Sequence, residues 1–102
     1  MTARPRVAFV GGVRKVEREI IAFGEEMGVN VEVHDGHTQG QGISRLAALV
    51  HRTDLVVIVT GTNSHNAVLV AKREASKAGT RVLILKACGV ATARTVLSRS
   101  VT

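Results

Sequence analysis

Asp54 to Gly79 reads DLVVIVTGTNSHNAVLVAKREASKAG, and its hydrophobic pattern changes period once. Leu55 to Val59 is an unbroken apolar run of strand length, the form taken by a strand buried on both faces of a parallel sheet. Beyond the polar turn TGTNSHN, the residues Ala67, Val68, Ala71 and Ala75 recur at helical spacing as far as Gly79. That spacing predicts a helix from about Ser64 to Ala78. Arg81 to Leu85 is then the next strand. Strand, helix and strand in that order form a crossover unit, and such units build α/β folds.

The alternation extends toward both ends. Arg6 to Val10 (RVAFV) reads as a buried strand ended by Gly11-Gly12, and from Val13 the residues Val16, Ile20, Phe23 and Met27 follow a helical period up to Gly28. Val29 to His34 (VNVEVH) alternates as a short strand. Asp35 to Gly42 is a Gly-rich polar loop, and Ile43, Leu46, Ala47 and Val50 mark a second helix ending near Arg52. Ala91 to about Ser98 closes the series as a fourth helix. Four strands alternating with four helices imply a Rossmann-like or flavodoxin-like three-layer α/β domain, its four-stranded parallel sheet covered on both faces. With right-handed crossovers and strand order 2-1-3-4, the first helix lies on one face and the next two on the other. That order sets a switch point between strands one and three, where open α/β sheets hold ligands.

The length, 102 residues, predicts a single domain over residues 1–102. Aromatic residues are 2% of the chain, only Phe9 and Phe23, so the usual platform for stacking bases is missing and a single-strand nucleic-acid module is disfavoured. Cys88 is the one cysteine and has no partner for an internal disulfide; with no N-terminal apolar leader and no apolar span of about 18 residues, the expected compartment is the cytoplasm and no membrane partner is expected. The net charge of +6 is unevenly placed. Up to Asp54 seven basic residues face seven acidic ones; beyond it Lys72, Arg73, Lys77, Arg81, Lys86, Arg94 and Arg99 stand against Glu74 alone. Such a half either steers an anionic partner, nucleic acid included, or is a solvated basic face.

The candidate site residues collect where the switch point is expected. Gly11 and Gly12 remove side chains at a strand-to-helix turn, which lets backbone approach a phosphate or carboxylate, while Arg14 and Lys15 add charge. The segment GGVRKV is neither a dinucleotide fingerprint nor a P-loop, so a tight turn with surface basics is the competing reading. Asn63 or Ser64 suits the N-cap of the third helix. His65 stands at the positive end of that helix, which disfavours the protonated imidazole and suits a neutral ligand, hydrogen-bond donor or general base. A structural role for His65, bonded to nearby backbone, accounts for it equally. His34, His37 and His65 form a candidate ligand set for a transition metal or haem iron, though their spacing is not diagnostic. The segment HDGHTQGQG is expected to be a mobile loop able to close over a ligand. Cys88 precedes the last helix and reads as a small filler.

Together VGG at Val10 to Gly12, HDG at His34 to Gly36, Asp54 opening its strand, and Ser64-His65 before a basic helix resemble the small bacterial family of domains of unknown function numbered twenty-three twenty-five. The likeness spans nearly the whole chain. It implies a Rossmann-like cytoplasmic domain without an assigned activity. In that family a cysteine often sits in the third helix, where this chain has Ala75. Ala75 is about 15 Å along the helix from Ser64-His65, so even a cysteine there would not share a metal with His65.

The first functional expectation is therefore a binding or regulatory module that holds an anionic small molecule or nucleotide at Gly11, Gly12, Arg14, Ser64 and His65. A metal- or haem-binding protein using His34 and His65, with His37 in reach, is the alternative. A small hydrolase or transferase with His65 as acid/base is a further one, ranked lower because no nucleophile is placed. Self-association as a homodimer is also expected. Val68, Leu69 and Val70 run in a row on the third helix, and the fourth strand is an uncharged apolar edge.

Overall fold

The computed structural model describes residues 4–61 and 63–101, apart from the side chain of Arg14. The strands are β1 (Arg6–Val10), β2 (Asn30–His34), β3 (Leu55–Val59) and β4 (Arg81–Leu85). The helices are α1 (Glu17–Met27), α2 (Gly42–His51), α3 (His65–Ala78) and α4 (Val90–Ser100). All neighbouring strands run parallel, in the order β2-β1-β3-β4. The chain thus has the α/β architecture and the strand order 2-1-3-4 expected from its sequence.

Alternate residues of each strand divide the core into two layers. Val7, Phe9, Val57 and Val59 face Ile20 of α1 and Ala93, Val96 and Leu97 of α4. Ala8, Val10, Val56 and Ile58 face Leu46, Leu49 and Val50 of α2 and Ala67, Val70, Ala71 and Ala75 of α3. The two central strands are buried from Val7 to Val10 and from Val56 to Val59, which is why both read as continuous apolar runs. β2 is half-buried throughout, in keeping with its alternating VEV pattern.

One boundary differs from the helical period. The segment after Gly12 begins as a tight 3-10 turn, Arg14–Val16, closed by Val16 N–H donating to the Val13 carbonyl at 3.0 Å, and the α-helix starts only at Glu17. Val16 is the N-cap and carries no hydroxyl or carboxylate to hold the first turn, so the tighter turn supplies its hydrogen bond.

The last helix packs beside α1 and leaves the outer edge of β4 open. Val82, Leu83 and Ile84 are 39%, 36% and 48% exposed, and Leu69 on α3 is 51% exposed. Among the described residues no helix is long and apolar enough to cross a membrane.

Candidate functional site at the carboxyl ends of the strands

At the switch point between β1 and β3 the chain closes on itself through Asn63. Its Nδ2 donates to the carbonyl of Val10, the last residue of β1, at 3.1 Å. Gly11 and Gly36 make this approach feasible. Each has a positive φ, +87° and +86°, and a Cβ on either would run into the Asn63 side chain. The missing side chain at Gly11 therefore makes room for an amide of the same chain. The Oδ1 of Asn63 is buried and has no hydrogen-bond partner among the described residues.

Ser64 continues the lock. Its hydroxyl donates to the Gly36 carbonyl at 2.8 Å and accepts from Ala67 N–H at 3.0 Å. Ser64 is thus the N-cap of α3 and also ties that helix to the loop after β2. Gly11 N–H donates to the His34 carbonyl at 2.8 Å, so the loops after β1, β2 and β3 are joined to one another.

His34 pins both ends of the following loop. Its Nδ1 accepts from Gly36 N–H at 3.0 Å, and its Nε2 lies 3.3 Å from the Gly42 carbonyl. An acceptor at Nδ1 requires the proton on Nε2, which then donates to Gly42. The 3.9 Å approach of Nδ1 to the Asp35 carboxylate is secondary to that geometry, since Nδ1 is already spent on a backbone amide. The expected mobile loop is instead anchored at its start and finish by one imidazole. Asp35 itself accepts from His37 N–H at 2.8 Å in a short side-chain turn.

With both ring nitrogens engaged, His34 has no lone pair for a metal ion in this arrangement. His37 is exposed on the loop and His65 is exposed in the first turn of α3. Among the described residues no group of three or more His, Cys, Asp or Glu side chains is disposed to hold a metal ion.

An open cleft of about 770 Å³ lies beside the lock and is lined by Gly12, Lys15, Val16, Asp35, Gly36, His37 and Cys88. Gly11, Ser64 and His65 are not in its wall, and the side chain of Arg14 is outside the described structure. Cys88 forms the floor near α4; burial pushes its thiol above the usual range, opposite to activation by a helix end. Lys15 was legible in the sequence as an added charge. Asn63 was legible only as a cap, because its role depends on two remote glycines.

The three helix starts around the cleft differ in charge. α1 carries Glu17 and Glu19 in its first turn, and α3 is capped by Ser64. α4 follows Gly89 with neither a side-chain cap nor an acidic first-turn residue. Its positive end, next to Cys88, is uncompensated, as is the start of α2, which follows Gln41 with neither a side-chain cap nor an acidic first-turn residue.

A model of the family described as uncharacterized protein conserved in bacteria (DUF2325) matches residues 6–100, and the chain belongs to that family. A search of curated proteins finds no match.

Proposed function

We propose that this family member is a binding module whose cleft takes an anionic small molecule, and that a nucleoside phosphate is the class its residues suit best. The observation that carries the reading is the composition of the cleft wall: Gly12 and the Lys15 ammonium on one side, the Asp35 carboxylate directly after β2 on the other. Lys15 supplies charge for a phosphate, and the bare backbone at Gly12 allows close approach. Asp35 offers an acceptor for ribose hydroxyls, the part played by a carboxylate after the second strand in dinucleotide folds; that step rests on fold analogy. The uncompensated start of α4 adds positive potential at the third side.

Gly11 and Ser64 support the site from behind: they hold the loops rather than the ligand. His65, exposed at the neighbouring helix start, is left to meet a part of the ligand that projects from the cleft.

Titration calorimetry with AMP, ADP and inorganic phosphate tests the proposal. Saturable binding of a nucleotide is expected, weakened about tenfold or more by Lys15→Glu. Asp35→Asn keeps an acceptor for His37 N–H and should weaken the ribonucleotides while sparing inorganic phosphate. Absence of saturable heat from all three probes at about 5 mM refutes the reading.

A further inference from the structure

We propose that the open edge of β4 is a docking strand for an extended acidic segment of another protein, which joins the sheet as a fifth strand. The two edges of the sheet are treated differently. β2 carries Glu32 within the strand, and Glu32 is paired bidentately with Arg52 at 2.8 and 3.1 Å. A charge of that kind deters pairing with another chain. β4 has the apolar run VLIL with no proline, glycine or charge inside it, and Val82, Leu83 and Ile84 are all exposed. Its backbone is bonded to β3 on one side only.

The surroundings of the edge are shaped and charged for an occupant. Register with β3 places Leu83 on the α1/α4 side and Val82 and Ile84 on the α2/α3 side, so an added strand meets apolar side chains on both faces. On the α4 side a hollow of about 340 Å³, lined in part by Val82, Leu83, Val96 and Leu55, borders the strand and has room for an apolar side chain. Arg81 and Lys86 bracket the run, and Lys72 is exposed on α3, the helix that precedes β4. These three cations have no ion-pair partner among the described residues, whereas Glu74, the one acidic residue after Asp54, is already shared by His51, Arg73 and Lys77.

The charge pattern decides the occupant. An antiparallel pairing of two copies that overlaps their apolar runs brings Arg81 of one copy toward Lys86 of the other at both ends, and like charges placed opposite destabilise a strand pair. A second copy is thus disfavoured at this edge. A foreign strand with carboxylates flanking apolar residues satisfies the backbone, the apolar faces and the two cations that bracket the run.

Fluorescence anisotropy with two synthetic nine-residue peptides tests this on the intact chain: one alternates valine with glutamate, the other valine with lysine. The glutamate peptide should bind about tenfold or more tightly than the lysine peptide, and less tightly as salt rises. Arg81→Glu/Lys86→Glu, two exposed positions whose folding is checked by circular dichroism, should reverse the preference. The outward-pointing amides of Val82 and Ile84 should gain protection from hydrogen exchange only when the glutamate peptide is present. Equal binding of both peptides, or no binding at about 1 mM, overturns the proposal. So does a dimer by light scattering whose β4 amides are protected without peptide, or saturable binding of a short DNA duplex with no response to the glutamate peptide.

Discussion

Replacing Gly36 with alanine tests the lock around Asn63 directly. Gly36 has φ of +86°, a conformation that costs a residue with a Cβ about 1–2 kcal/mol. The new methyl would also overlap Asn63 Oδ1, an overpacking contact that adds about 1–3 kcal/mol. The sum is roughly 2–5 kcal/mol, a large part of the 5–15 kcal/mol typical of a domain. With a urea slope of about 1–2 kcal/mol per molar, the unfolding midpoint should fall by at least about 1 M. Asn63→Ala separates the two contributions. In that background the overlap is gone and Gly36→Ala should cost only the backbone part, about 1–2 kcal/mol. Urea unfolding of the wild type, both single variants and the double variant gives the coupling energy, with the slope checked for constancy. Coupling of about 1–3 kcal/mol is expected, and additivity within about 0.5 kcal/mol would show that the loops do not meet at Asn63.

Two further outcomes follow from the same structure. Ser64→Ala should lower stability by about 1–2 kcal/mol in thermal unfolding, through loss of the cap and of the link to Gly36. Ser64→Asp is the sharper variant, because aspartate caps as well as serine but cannot donate to the Gly36 carbonyl; wild-type stability for Ser64→Asp would rule out the link. On acidification, the His51 ring beside Glu74 and the Arg52 guanidinium beside Glu32 hold those carboxyls below their usual range. A carboxyl depressed in the folded state contributes stability that is present above its unfolded value and lost as pH falls through the folded one, here in the acid window that opens below the ordinary glutamate value of about 4.5. The double variant Glu32→Gln/Glu74→Gln should show a smaller drop in melting temperature across that window than the wild type, and an unchanged drop refutes the assignment.

What the sequence discloses depends on how local the cause is. The run Leu55 to Val59 declares a doubly covered strand because burial on both faces requires apolar residues at every position, and the observed β3 follows it residue for residue. The VEV alternation of β2 declares a strand with one wetter side, and β2 is an edge. Once the order is taken as 2-1-3-4, the crossover rule tells which helices share a face. The start of α1 was less legible, since a helical period marks which face is buried but not whether the first turn is α or 3-10. The site was least legible. Three histidines near one loop look like metal ligands until the turn at Asp35-Gly36 is known, because that turn brings Gly36 N–H onto His34 Nδ1. A glycine pair after a strand looks like a phosphate cradle until Asn63 is seen to fill it.

The lock also moves the expected position of an anion. A phosphate over Gly11 would have to displace the Asn63 amide and break its bond to Val10, and it would stand near Glu17 and Glu19 in the first turn of α1. Both effects disfavour it, the first through a buried carbonyl left without its donor and the second through like charge. Toward Gly12, Lys15 and the start of α4, the Asn63 amide is not in the way and the Lys15 ammonium offsets the nearby acidic groups. The fixed loops therefore do two things at once: they use Gly11, Asn63 and Ser64 to join three strand ends, and they leave the positive side of the crevice one step further along, between β1 and α4. On the proposed function the phosphate contact falls to Lys15, which takes no part in joining the loops, while Asp35 serves both the loop turn and the ligand. On that division, Lys15→Glu should weaken nucleotide binding about tenfold or more with little change in stability, whereas Gly36→Ala should lower stability whether or not a nucleotide is bound.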